Sequence, residues 1–172
     1  LAALRTLCLP GASERIVYVW GDSGSGRTHL LGAAARAAQA AGRSSAWFPA
    51  AFAGGSQFVL VDDVDRLDDA AQIALFGTYN AVRDAGGCLL AAGNVPPARL
   101  RLRPDLLTRL AWGLVYQVHA LDDYEKAAAL ERHAQARGLR LPPEVSAYLL
   151  RHARRDLPSL LRILDGLDRH SL

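Results

Sequence analysis

Eight residues with three glycines among them, Gly21-Asp22-Ser23-Gly24-Ser25-Gly26-Arg27-Thr28, separate two stretches whose compositions demand different backbones. Before them, Arg15 to Trp20 (RIVYVW) is β-branched and aromatic and predicts a buried strand. After them, His29 to Ala41 is almost all alanine and leucine with Gly42 as the stop, which predicts a helix. Strand, glycine loop and helix in that order let successive backbone N–H groups curl around the α and β phosphates of a nucleotide. The helix N-terminus adds the positive end of its dipole. Thr28 supplies a hydroxyl suited to Mg²⁺. The spacing of Gly, four residues, Gly, a cation and a hydroxyl arises by chance in roughly one chain of this length in a hundred. A mere flexible turn would not need the strand and helix on either side. Gly21, Asp22, Ser23, Gly24, Ser25, Gly26, Arg27 and Thr28 are therefore the phosphate-binding candidates, with ADP or ATP and Mg²⁺ as the expected cofactors.

Arg27 departs from the usual pattern, which places lysine there. A guanidinium holds phosphate oxygens as a planar fork, whereas an ammonium acts as a compact point charge. Nucleotide binding is compatible with that exchange; efficient γ-phosphate transfer is less so.

Further along, Ser45 to Phe48 predicts a second strand and Phe58 to Val61 a third, which delivers Asp62 and Asp63 at its C-terminal end. The linker Ala50 to Gln57 is short for a helical crossover, which takes about a dozen residues. Asp68 to Asp84 predicts a helix, Cys88 to Ala92 a fourth strand ending at Gly93-Asn94, Asp105 to Leu110 a short helical turn, and Leu114 to Val118 a fifth strand. Such alternation implies an α/β fold with a five-stranded parallel sheet covered on both faces. From about residue 121 the character changes to three helices: Asp122 to Arg137, Pro142-Pro143 to Ala153, and about Leu157 to Leu167. The expected organisation is an α/β subdomain over residues 1–120 and a small helical lid over 121–172.

Asp62 and Asp63 suit a site in which the first carboxylate supports Mg²⁺ and the second polarises the attacking water. Capping the following helix is the plainer role. Asn94 has three roles open to it: orienting that water, touching the γ-phosphate, or simply turning the chain before Val95-Pro96-Pro97. Arg109, beside Trp112 and Gly113 and just before a strand, reads either as a finger reaching a neighbour's nucleotide or as half of a surface salt bridge.

The remaining composition excludes more than it assigns. A net charge of +3 without a run of five like charges gives no nucleic-acid groove, and Lys126 is the only lysine. Cys8 and Cys88 stand far apart with no further Cys or His at metal-ligand spacing, as expected of two reduced thiols in a cytoplasmic protein. No stretch approaches eighteen apolar residues, so no membrane contact is expected.

Together these motifs resemble the DnaA-type AAA+ proteins, and within them the Hda-like regulators, over nearly the whole chain. Arg27-Thr28-His29 is similar to the Hda-like loop, adding His29 to the binding candidates. Thr108 to Leu114 resembles the family's SRLxWG box, which implies a trans-acting arginine finger at Arg109, and Leu164 to Arg169 is similar to the LDxLDR tail. The resemblance implies an ADP-holding regulator that attaches to the DNA polymerase sliding clamp through a glutamine-rich peptide, not among these 172 residues. Its other partner would be DnaA, whose ATP hydrolysis it would stimulate, acting with weak or no ATPase activity of its own. Self-association and the absence of sequence-specific DNA binding are further expectations. The competing reading is an autonomous AAA+ ATPase, an initiator or helicase loader, that binds single-stranded DNA using Asp62, Asp63 and Asn94. One departure stands out: the family's sensor arginine falls at Pro158, with Arg155 one turn earlier as the substitute.

Overall fold

The computed structural model describes residues 15–49, 57–153 and 156–169. The chain forms two compact units, Leu1–His119 and Ala120–Leu172.

In the first unit, strands β1 (Ile16–Trp20), β2 (Ser45–Trp47), β3 (Phe58–Val61), β4 (Cys88–Gly93) and β5 (Leu114–Gln117) form one parallel sheet in the order β2-β3-β4-β1-β5. Strands β3 and β4 are buried throughout, which explains their unbroken apolar sequences: each alternate residue must satisfy a different covered face. Val17 and Val19 of β1 pack with Leu31, Ala34 and Ala38 of helix α1 (Arg27–Ala40) on one face. Ile16 and Tyr18 pack on the other with Leu75 and Val82 of α2 (Asp69–Asp84) and Leu106 and Leu110 of α3 (Pro104–Trp112). The period of two along β1 thus divides a single strand between two cores.

The boundaries differ from the sequence expectation where local chemistry intervenes. Helix α1 starts at Arg27, two residues early, because Gly26 takes φ 95° and its carbonyl accepts from Leu30 N–H at 2.9 Å. The expected short turn at 105–110 is a nine-residue helix, opened by Pro104 at its first position, where a missing N–H costs nothing. Strand β4 runs on through Gly93, and β5 stops at Gln117, although Val118 N–H still donates to Trp20 O at 2.7 Å. Strands β2 and β3 are adjacent and parallel; residues 50–56 of the short linker between them lie outside the described residues, as do Cys8 and Arg155.

The second unit holds α4 (Asp123–Gln135), α5 (Pro143–His152) and α6 (Leu157–Arg169) around Leu130, Ala134, Leu149, Leu160 and Leu164. Helix α4 opens with a reciprocal capping box: Glu125 N–H donates to Asp122 Oδ1 at 2.7 Å and Asp122 N–H to Glu125 Oε2 at 3.0 Å. Asp165 ties α6 to α4 by accepting from His133 Nε2 at 2.7 Å, and Arg137 Nη1, just past α4, is in ionic contact with it at 3.0 Å. Pro158 sits in the first turn of α6, where proline is compatible with a helix. Among the described residues no helix is long and apolar enough to cross a membrane.

Candidate functional site

The glycine loop leaves β1 at its C-terminal end and enters α1, and three of its glycines have identifiable physical duties. Gly24 and Gly26 adopt φ of 83° and 95°, in the left-handed region that side chains disfavour. A Cβ at Gly21 would lie 2.1 Å from Val118 O and 2.8 Å from Ser25 Oγ, so β5 and the loop close onto bare backbone there. Ser25 N–H donates to Asp22 O at 3.0 Å, folding the loop back on itself. The first N–H groups of α1 have no carbonyl one turn earlier to receive them.

Two enclosed polar atoms of the loop, Ser25 Oγ and Arg27 Nη1, have no hydrogen-bond partner among the described residues. Only 10% of the Arg27 side chain is exposed, so its orphaned N–H groups cannot rely on bulk water. Buried groups in that condition are rare in folded proteins. An anion seated in the loop would satisfy them, and the residues present therefore fit a phosphate group. Asp22, Ser23, Gly24, Gly26, Thr28 and His29 are exposed.

Asp62, at the end of β3, meets the loop: Thr28 Oγ1 donates to Asp62 Oδ2 at 2.5 Å. Its other oxygen accepts from Asp63 N–H at 3.0 Å. A hydroxyl and a carboxylate so joined are the hard oxygen ligands that Mg²⁺ takes when it arrives with phosphates. Among the described residues no three His, Cys, Asp or Glu side chains group as a resident metal centre would. Asp63 has φ 45°, the one positive φ among the described non-glycine residues, and its carboxylate lies 3.7 Å from Arg27 Nη2 and 3.8 Å from Arg66 Nη1. The plainer role for this pair, capping the next helix, belongs instead to Asp68, which accepts from Ala71 N–H at 2.8 Å.

Asn94, just past β4, is held by a residue that sequence reasoning passed over. Asp65, in the 3₁₀ turn Val64–Arg66, accepts from Asn94 N–H at 2.8 Å and from Asn94 Nδ2 at 2.6 Å. The available signal was the third carboxylate in Val61-Asp62-Asp63-Val64-Asp65. Beside it, fully buried Tyr18 donates its hydroxyl to Val95 O at 2.7 Å. Burial, and then the Asp65 charge, push the Tyr18 phenol above its ordinary pKa against the opposing influence of Arg27.

Arg109 belongs to the last turn of α3, just before β5. Its guanidinium lies 4.9 Å from the Trp112 ring centre and 5.8 Å from that of Tyr79. Trp112 is 71% exposed, and among the described residues no carboxylate lies within 4.0 Å of Arg109. The salt bridge expected as its ordinary role is thus not formed among them. No hydrogen bond or ion pair among those residues joins Arg109 to the glycine loop, whose Thr28 and Arg27 meet Asp62 and Asp63.

With the loop after the first strand, carboxylates after the third and an asparagine after the fourth, all at the C-terminal edge of a sheet ordered β2-β3-β4-β1-β5, the first unit has a P-loop fold of the AAA+ class. The family model for the Hda lid domain matches residues 123–172. Domain III of the Thermotoga maritima replication initiation protein DnaA superposes with a TM-score of 0.78 at 21% identity, over 95% of this chain and 78% of that one. A replication initiator DnaA solved with AMPPCP and single-stranded DNA gives 0.75 at 21% identity over 99% of this chain, which spans 63% of that initiator's length. The Neisseria meningitidis protein NMB1076, solved in solution, is 34% identical over 69% of this chain and 84% of its own, with a TM-score of 0.52. Residues 123–172 thus match the Hda lid, and the chain shares the fold of the DnaA AAA+ domains.

Proposed function

We propose that this protein is a nucleotide-holding regulator of replication initiation that stimulates hydrolysis of DnaA-bound ATP, in the cytoplasm, together with the sliding clamp. In this reading residues 1–120 hold ADP and residues 121–172 act as the lid. The glycine-loop amides and Arg27 bind the phosphates, Thr28 and Asp62 hold Mg²⁺, and His29 adjoins them on α1. Bound Mg²⁺ would neutralise phosphate charge. Arg27, nine-tenths buried and in ionic contact with Asp63, suits a nucleotide retained as a structural ligand: the carboxylate that would polarise a water is the counter-ion of the loop's own cation.

The observation that carries the trans role is Arg109, a guanidinium stacked on an exposed indole with no carboxylate on it among the described residues. Presented to a partner's nucleotide, such a group stabilises charge on a transferring phosphoryl. The test is hydrolysis of DnaA-bound ATP in the presence of clamp-loaded DNA, comparing the protein with Arg109→Ala while ADP binding is followed by titration. Stimulation should vanish with ADP affinity unchanged; equal stimulation by both proteins removes Arg109 from the mechanism.

A second reading, an autonomous ATPase that binds single-stranded DNA, draws on the joined Thr28–Asp62 pair and the firmly held Asn94. It requires turnover without DnaA and salt-dependent binding to a single strand.

A further inference from the structure

Asn94 is fixed more tightly than a turn residue needs. Its backbone N–H and its side-chain amide both donate to one carboxylate, that of Asp65, at 2.8 and 2.6 Å. A carboxylate only accepts, so this two-point grip determines the amide's orientation: Nδ2 faces Asp65 and Oδ1 does not. The grip depends on two supports. Fully buried Val64 anchors the 3₁₀ turn that carries Asp65. Gly93 allows the close approach, since a Cβ there would lie 3.1 Å from Asp65 Oδ1. The same turn follows directly on Asp62 and Asp63, so the orientation of Asn94 is tied to the carboxylates that meet Thr28 and Arg27.

We propose that Asp65 is a positioning residue: by fixing which end of the Asn94 amide is free, it sets how strongly the site distinguishes a nucleoside triphosphate from a diphosphate. This rests on the nucleotide-binding reading above. With one of its two Nδ2 hydrogens on Asp65, Asn94 presents its carbonyl oxygen at the end of the amide away from that residue, and a carbonyl gains nothing from a terminal phosphate. The isosteric change Asp65→Asn can place a donor against the Asn94 donor, a clash removed when the Asn94 amide rotates. The amide hydrogens then occupy the side where the carbonyl was, and phosphate oxygens accept them.

The experiment is calorimetric titration of the full chain with ADP and with AMPPCP, for the unaltered protein, Asp65→Asn, Asn94→Ala and the double variant, each checked for folding by circular dichroism. Asp65→Asn should raise the AMPPCP-to-ADP affinity ratio by about three- to tenfold, the worth of one net hydrogen bond, with ADP affinity held within about twofold. In the Asn94→Ala background the same change should leave the ratio unmoved. A ratio unaffected by Asp65→Asn, or an equal rise without Asn94, overturns the proposal while ADP binding stands. Failure of the unaltered protein to bind ADP is a different result and overturns the nucleotide reading along with it. Asp65→Ser, which also ends the carboxylate grip, carries the comparison if Asp65→Asn does not fold.

Discussion

Gly93→Ala is a substitution whose cost can be worked from contacts and then separated into its cause. The added Cβ would lie 2.3 Å from the Tyr18 hydroxyl, with Asp65 Oδ1 and Val64 Cγ2 next at 3.1 Å. Non-bonded heavy atoms prefer roughly 3.5 Å or more, so the hydroxyl must retreat by about an ångström. Tyr18 is fully buried, and retreat also breaks its 2.7 Å bond to Val95 O. Overpacking of this kind costs about 1–3 kcal/mol. Separating a buried donor from its acceptor adds about 1–3 kcal/mol. The stiffer unfolded chain of an alanine variant returns only about 0.4–1 kcal/mol. Net destabilisation should be about 1–5.5 kcal/mol, centred near 3. Without the Tyr18 hydroxyl the closest remaining approaches are those at 3.1 Å, so in a Tyr18→Phe background Gly93→Ala should cost only about 1 kcal/mol. Urea unfolding of the four proteins, followed by circular dichroism, measures the coupling directly. A cost in the two backgrounds that agrees within about 0.5 kcal/mol would refute the steric account.

The same tyrosine gives a pH test. Its folded-state pKa is raised by burial, so above the ordinary tyrosine value of about 10 the unfolded chain releases a proton that the folded one keeps. Stability should therefore fall as pH rises past about 10, and Tyr18→Phe should lose less over that window in urea midpoints. Thr28→Ala, which removes the hydroxyl facing Asp62, should weaken Mg²⁺-dependent ADP binding by about tenfold while leaving Mg²⁺-free binding nearly unchanged, as read by titration with and without chelator. Trp112→Ala should reduce stimulation of DnaA-bound ATP hydrolysis and Trp112→Phe should retain most of it. The exposed cation–π contact on Arg109 is worth about 0.5–1 kcal/mol, so the loss should be a few-fold.

Local chemistry made much of this molecule legible in its sequence. Phe58 to Val61 was readable to the residue because a buried parallel strand must be apolar on both faces and a charge ends it at once. The glycine loop was readable because positive φ at Gly24 and Gly26 leaves a composition signature. The extent of α3 was not, since Arg101 to Pro104 looks like loop until Pro104 is seen as a helix start. Asp65 was hidden for a different reason. Its role depends on the pairing of β3 with β4, which brings the turn after one strand against the end of the other across 29 positions of chain. Spacing within a motif carries no trace of such a contact. Likewise the stacked setting of Arg109 was not readable in the sequence, because Tyr79 reaches it from another helix.

Arg27 shows how far one exchange in a motif can reshape its surroundings. A lysine ends in a single ammonium, whose three donors radiate from one nitrogen. The guanidinium has two arms: Nη2 is in ionic contact with Asp63 while Nη1, in an enclosed setting, has no hydrogen bond among the described residues. One side chain can thus neutralise Asp63 and still offer donors to an anion in the loop. Asp63 is held at φ 45°, a conformation costing of order 1–3 kcal/mol, and its carboxylate is flanked by Arg66 as well. Strain of that size persists when neighbouring contacts impose it, and two guanidiniums on one carboxylate are such contacts. On the proposed reading, that combination suits a phosphate held as a ligand.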